Sequence, residues 1–149
     1  MANRYTEEKL PVNDQQMIER FNARAPTFIK MLGGRLIAAD PKSRSCTFEF
    51  DISRDFCHSV DVVQGGFVTA MLDAAMSHAA FTIGADVANV SSLEIKTNYL
   101  EPTRAGRVRA EGFILKSGYK LAFMEGRLYD AGGVLTATTS TVAKLVRAR

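Results

Sequence analysis

Hydrophobic residues recur along this chain with two different periods, and each change of period marks a boundary between elements. From Asn13 to Leu32 they fall at Met17, Ile18, Phe21, Ala25, Phe28, Ile29 and Leu32, the spacing of a helix that lies on a core. Asn13 is placed to cap it, the Gly33-Gly34 pair stops it, and Pro26 kinks or splits it. Downstream the period drops to that of a strand. In Arg44–Ile52 one face carries Cys46, Phe48, Phe50 and Ile52, and the other Ser45, Thr47, Glu49 and Asp51. Gly34–Ala39 is the expected partner, joined through Asp40-Pro41-Lys42-Ser43. Residues 53–64 read as an irregular loop. Segments near 88–100, 107–116, 119–130 and 134–146 are rich in Val, Ile, Leu, Thr, Phe and Tyr. Turn residues separate them: Glu101-Pro102 through Gly106, Ser117-Gly118, and Ala131-Gly132-Gly133. The last two connections have hairpin length, so the strands they join are expected to be antiparallel neighbours.

Between the two groups of strands, Gly65–Ile83 is apolar almost all the way round. A helix with no polar face is normally buried. Among its few polar side chains, Thr69, Asp73 and Ser77 fall at intervals of four and therefore share one stripe. Aspartate is a poor helix-interior residue, and a buried carboxylate is costly unless it is hydrogen-bonded or paired. Two readings of Asp73 follow. Either a neighbouring strand, or an arginine across an oligomer interface, satisfies it structurally, or it is a catalytic carboxylate facing a cleft. The Gly65-Gly66 pair bears on the choice: glycines admit a ligand close to the backbone, and the first N–H groups of a helix are unpaired at its positive end. Gly65 and Asp73 lie two turns apart, about 12 Å. That reach is long within one chain and short if the carboxylate of one subunit faces the glycines of another. The order helix, two strands, long helix, four strands predicts an α+β domain over residues 1–149, one antiparallel sheet wrapping one helix, with residues 1–12 a loose lead-in.

Composition narrows the functional classes. A chain of 149 residues with 46% hydrophobic content supports one core. Its formal charge of +3 is scattered, without the basic runs of a nucleic-acid binder; it suits a small anionic ligand or an ordinary solvated surface. No apolar run approaches the roughly 18 residues of a membrane span, and Met1–Pro11 is too polar for a signal peptide. Cys46 and Cys57 make no disulfide framework, so a reducing, cytoplasmic compartment is expected. The two His and two Cys have no metal-site spacing. Adjacent Cys57 and His58 do not aim side chains at each other and have no third orienting group, which argues against a nucleophile pair. Cys46 and His78 read as packed residues, and the methionines as core filler or pocket lining.

The stretch Gln64-Gly65-Gly66-Phe67-Val68-Thr69-Ala70-Met71-Leu72-Asp73 resembles the helix-start motif of hotdog-fold acyl-CoA thioesterases of the phenylacetate-pathway (PaaI-like) type, which reads His-Gly-Gly, six residues, Asp. Leu93 to Pro102, Gly106, Ser117-Gly118 and Asp130 to Ala137 continue the likeness, which covers roughly residues 30–146. The resemblance implies a hotdog fold, with about five to six strands around the central helix and here an extra N-terminal helix. It also implies a homodimer or homotetramer (a dimer of dimers) that hydrolyses acyl-CoA at subunit interfaces. No cofactor is implied beyond the CoA of the substrate, and no nucleic-acid or membrane partner. Asp73 takes the place of the family's base or nucleophile, Gly65 of its oxyanion-hole N–H with Gly66 beside it, and Ser77 of its hydroxyl residue one turn on. Ser92, with Ser91 one register away, takes the place of the hydroxyl residue that orients water. Hydrogen bonds from Ser77 or Ser92 are expected to keep Asp73 ionised.

This chain departs from the motif in carrying Gln64 where the family has His, and His58 six positions earlier where it has an amide. Either His58 and Gln64 share one pocket and together polarise the thioester carbonyl, or Gln64 is a weaker substitute and His58 a surface residue. Arg104, Arg107, Lys116 and Lys120, near strand ends and turns, are candidates for the CoA phosphates. A rival reading is a non-catalytic acyl-CoA-binding protein; a hotdog hydratase is disfavoured because the loop before the helix lacks the Asp-plus-His signature of that branch.

Overall fold

The computed structural model describes residues 12–149. The expected lead-in and the capping side chain of Asn13 lie outside what is described. Pro26 splits the N-terminal segment into α1 (Val12–Ala23) and α2 (Thr27–Met31). Gly33, with φ of +73°, reverses the chain where an L side chain would be strained, and its N–H donates to the Lys30 carbonyl.

Two strands follow, β1 (Gly34–Asp40) and β2 (Ser45–Ile52), then a short 3-10 turn at Arg54–Phe56 within the loop. The central helix α3 (Gly65–Ala79) ends one turn earlier than its apolar run suggests. Residues Ala80–Thr82 tighten into a 3-10 turn, and the Thr82 hydroxyl donates to the Ala79 carbonyl at 2.6 Å. Four strands complete the chain: β3 (Val87–Tyr99), β4 (Gly106–Ser117), β5 (Leu121–Asp130) and β6 (Leu135–Arg147). All pairings are antiparallel, in the order β1-β2-β4-β5-β6-β3, and β4-β5 and β5-β6 are the expected hairpins. This is the hotdog arrangement, with six strands. The helix carries the chain from β2 to the far edge of the sheet, so β3 is left as an edge strand.

The core forms where the inner face of the sheet meets α3. Phe48, Phe50, Val108, Ala110, Met124 and Leu128 close over Val68, Met71, Leu72, Ala75 and Met76, all of them buried. Cys46 lies on this inner face and is buried too. The closest approach is at Gly112, where an added Cβ would collide with the Ala75 carbonyl. Overpacking of this kind typically costs about 1–3 kcal/mol.

Strand β3 contains a bulge. Ser92 pairs with Ala143 and Glu94 with Val142, which leaves Leu93 as an extra residue. The phase of the strand changes there: Val90 and Ser92 face the helix before it, and Ile95, Thr97 and Tyr99 after it. Glu94 holds the distortion, its carbonyl accepting from the Thr141 hydroxyl at 2.6 Å and its carboxylate from the Val142 N–H at 3.1 Å.

His78 packs in an aromatic box, with ring centroids 4.6 Å from Phe21, 5.3 Å from Phe48 and 5.8 Å from Phe81. Its Nδ1 lies 2.6 Å from the Ala74 carbonyl, which can only accept, so Nδ1 carries the proton of the neutral ring. Burial holds its pKa below the ordinary 6.5, against the opposing pull of that hydrogen bond and of the Asp73 charge. A group whose folded pKa is depressed in this way keeps its neutral form in the fold. Its contribution to stability is therefore complete above the unfolded value of 6.5 and is lost as pH falls through the folded one. Urea midpoints measured across this range should decline on acidification below that value, and the His78→Phe variant should show a smaller decline.

Candidate active site

Three side chains meet on the side of α3 that faces β3. The Ser92 hydroxyl donates to Asp73 Oδ1 at 2.8 Å, and the Ser77 hydroxyl, one helical turn on, reaches the same oxygen at 3.3 Å. Among the described residues none donates to Oδ2. The carboxylate is half-buried, so one oxygen is anchored and the other left for chemistry. Ser92, and not Ser91, reaches Asp73 because of its phase relative to the bulge. A neighbouring strand does satisfy part of Asp73, as a structural role requires, and the open second oxygen leaves room for a catalytic one.

The second group of residues lies at the start of the helix. Gln64 is the N-cap, but its side chain makes no capping bond; its carbonyl accepts from Phe67 N–H at 2.9 Å and Val68 N–H at 3.2 Å. Among the described residues nothing accepts from the N–H groups of Gly65 and Gly66, the orphan donors of the first turn. A cleft of about 350 Å³ opens beside them, lined by His58, Val62, Gly65, Val68, Tyr99 and Pro102 among others. The preceding loop is pinned to the segment before β4 by Val63 N–H to Thr103 carbonyl (2.8 Å) and Ala105 N–H to Asp61 carbonyl (2.7 Å). This pinning holds His58 at the cleft, where its Nδ1 meets the Ser59 hydroxyl at 2.8 Å.

The sequence-predicted residues thus fall into two clusters along α3: Asp73, Ser77 and Ser92 in one, and Gly65 and His58 on the cleft in the other, with Gly66 next to Gly65 and outside the lining. Gln64 is exposed and is not among the residues lining the cleft, so the structure does not bring it into one pocket with His58. Nor are the four basic residues brought together. Arg104 pairs with Asp61 at 2.7 Å near the cleft, and Arg107 reaches Glu49 at 3.7 Å on the outer face. Lys116 and Lys120 are exposed near the other end of β4, roughly 30 Å away along the strand. The Cys57 thiol lies 4.0 Å from the Ser53 carbonyl, and the residue packs against the core.

Tyr99 lies within the Leu93–Pro102 stretch, where nothing in the sequence distinguishes it as a site residue. Its hydroxyl donates to the Gly65 carbonyl at 2.8 Å and lies 3.0 Å from Thr69 Oγ1, which is itself 2.8 Å from Thr97 Oγ1. Strict alternation through β3 would place Ser92 and Thr97 on opposite faces; the bulge puts both on the helix side. The one sequence signal for this contact was Thr69 in the stripe with Asp73. Chemically, the arrangement offers hydrogen-bond donors for an anion at the helix start and a carboxylate for base or nucleophilic work two turns away.

The family model of the thioesterase superfamily matches residues 61–137. Over 120 residues the chain is 29% identical to a candidate esterase of Saccharolobus solfataricus, covering 80% of this chain and 84% of that protein. Among solved structures it superposes on a candidate thioesterase, a phenylacetic acid degradation-related protein of Ralstonia eutropha JMP134. That match has a TM-score of 0.79 and 28% identity over 87% of this chain and 97% of the other. The PaaI protein of the Escherichia coli phenylacetic acid degradation operon, at 13% identity, shares the fold with a TM-score of 0.78 over 89% of this chain and 94% of its own. The matched span runs from the loop before α3 into β6 and takes in more than half of the 149 residues, and on that ground the chain belongs to the thioesterase superfamily.

Proposed function

We propose that this protein hydrolyses acyl-CoA thioesters to the free acid and CoA. The observation that carries the reading is Asp73: two seryl hydroxyls anchor one carboxylate oxygen and the other is open. The thioester carbonyl binds at the start of α3, where the Gly65 N–H stabilises the oxyanion as the carbonyl carbon becomes tetrahedral. Asp73 either removes a proton from the attacking water or attacks the carbon itself, forming an anhydride that water then opens. In both routes a C–O bond forms, the C–S bond breaks, and the sulfur leaves as the CoA thiolate and takes up a proton. His58, at the cleft beside Gly65, polarises the carbonyl; Gln64 contributes less.

The distance between Asp73 and Gly65 favours a site built from two subunits. The free edge of β3 is long and exposed, with Leu93 at 59% exposure. Pairing β3 antiparallel with its two-fold copy, centred between Ile95 and Lys96, sets Ser92 opposite the partner subunit's Tyr99. Ser92 marks the position of Asp73, and Tyr99 that of the helix start. One carboxylate then faces the other chain's glycines, and a dimer carries two composite sites. The rival reading, an acyl-CoA-binding protein without turnover, draws on the exposed Gln64 in place of the family's histidine.

Thiol release from a panel of aryl and aliphatic acyl-CoAs should be lost by a factor of about a hundred or more in Asp73→Asn. Binding of an acyl-CoA with no release by the wild type would decide for the rival. On the best substrate, His58→Ala should cost more in kcat/KM than Gln64→Ala; the reverse order would move the polarising role to Gln64. Light scattering should give a dimer or a dimer of dimers. Leu93→Lys should weaken association and activity together, so a fully active monomer would rule out the composite site.

A further inference from the structure

The hydroxyl groups of Thr97, Thr69 and Tyr99 form a chain whose direction is set by proton count. A carbonyl oxygen has no proton to give, so the 2.8 Å contact between Tyr99 and Gly65 uses the single proton of the phenol. Thr69, 3.0 Å from the phenol oxygen, must then donate to it, and Thr97, 2.8 Å from Thr69 Oγ1, must donate in turn. The chain therefore runs Thr97 to Thr69 to Tyr99 to the Gly65 carbonyl, and each bond polarises the next.

The end of this chain is not a structural necessity. As the first residue of α3, Gly65 already has the Thr69 N–H for its carbonyl oxygen through the ordinary helical bond. The phenol is a second donor to an oxygen that does not need one. Its effect falls on the rest of the Gly65–Gly66 peptide: drawing electron density to the carbonyl oxygen makes the Gly66 N–H a stronger donor. That N–H has no acceptor among the described residues, Gly66 is exposed, and a Cβ built there meets nothing within 4 Å. Gly65, in contrast, is closely covered, because a Cβ there would sit 2.9 Å from the Tyr99 hydroxyl.

We infer that Tyr99 is a positioning residue, and that its hydroxyl chain makes the Gly66 N–H a second, strengthened donor to the oxyanion beside that of Gly65. Tyr99 does not touch the reacting atoms; it acts through the peptide. The kinetic consequence rests on the thioesterase reading, whereas the electronic one does not.

The test replaces Tyr99 by Phe, which keeps the ring and removes the phenol, with Thr69→Val as a milder break in the chain. Tyr119→Phe, at an exposed tyrosine on the β4–β5 turn, is the control. In ¹⁵N-labelled protein the Gly66 amide nitrogen should move upfield in Tyr99→Phe, and by less in Thr69→Val. It should not move in the control. On the best acyl-CoA, kcat should fall about ten-fold in Tyr99→Phe with KM held within about two-fold, the signature of a transition-state interaction. An unmoved Gly66 resonance overturns the inference whatever the kinetics. A shifted resonance with unchanged kcat in an active enzyme overturns the positioning role. If the wild type releases no thiol, the thioesterase reading falls by itself, and the resonance alone decides whether Tyr99 strengthens this N–H.

Discussion

The close approach of α3 to the sheet at Gly112 is the contact on which the rest of the molecule depends. With no side chain on β4 at that point, the Ala75 backbone settles against the strand, and every neighbouring position on the helix takes its orientation from there. Met71, Leu72 and Met76 fill the space between helix and strands, while the stripe of Thr69, Asp73 and Ser77 is turned toward β3. The apolar majority of the helix thus decides where its polar minority points. Burial of a single large apolar side chain is worth roughly 1.5–3 kcal/mol. Many such contacts together can hold a half-buried carboxylate in place, provided that its desolvation is offset by hydrogen bonds.

The shorter of those hydrogen bonds comes from an edge strand, and this couples the site to the periphery of the sheet. Ser92 reaches Asp73, and Thr97 and Tyr99 reach the first turn of the helix, from a strand whose other edge has no partner among the described residues. Hydrogen bonds to a charged group are worth roughly 1.5–3 kcal/mol each when well made. Ordering β3 by pairing its free edge would therefore also order the groups that hold Asp73 and Gly65. In the proposed dimer the edge is at once the interface and one wall of the active site, so assembly and chemistry depend on the same backbone.

How much could be read along the chain varied with the range of the interactions. The two hydrophobic periods, Pro26, the Gly33-Gly34 stop and the turn residues are local signals, and they located all six strands and the central helix to within a few residues. The inward face of β2 and the packed character of Cys46 and His78 were legible for the same reason. The early end of α3 was not, because Ala80–Thr82 is as apolar as the residues before it and only the Thr82 hydroxyl bond distinguishes it. The bulge at Leu93 left no periodic mark that could be separated from ordinary irregularity, so the alignment of Ser92 with Thr97 and Tyr99 was hidden. Arg104, Arg107, Lys116 and Lys120 looked alike as basic residues near turns, although most of β4 lies between the two pairs.

The sequence by itself determined the elements, the α+β class, the single polar stripe on an apolar helix and the glycine pair at its start, since each follows from residue type and short-range spacing. The tertiary structure alone decided what those groups meet. It set His58 on the cleft and left Gln64 outside its lining, chose Ser92 over Ser91, and recruited Tyr99 to the Gly65 carbonyl. These outcomes depend on strand phase and loop pinning between segments far apart in the chain, such as the Thr141–Glu94 bond at the bulge, which spans 47 residues. Such contacts are set by how the sheet closes around its helix, which no stretch of chain encodes locally.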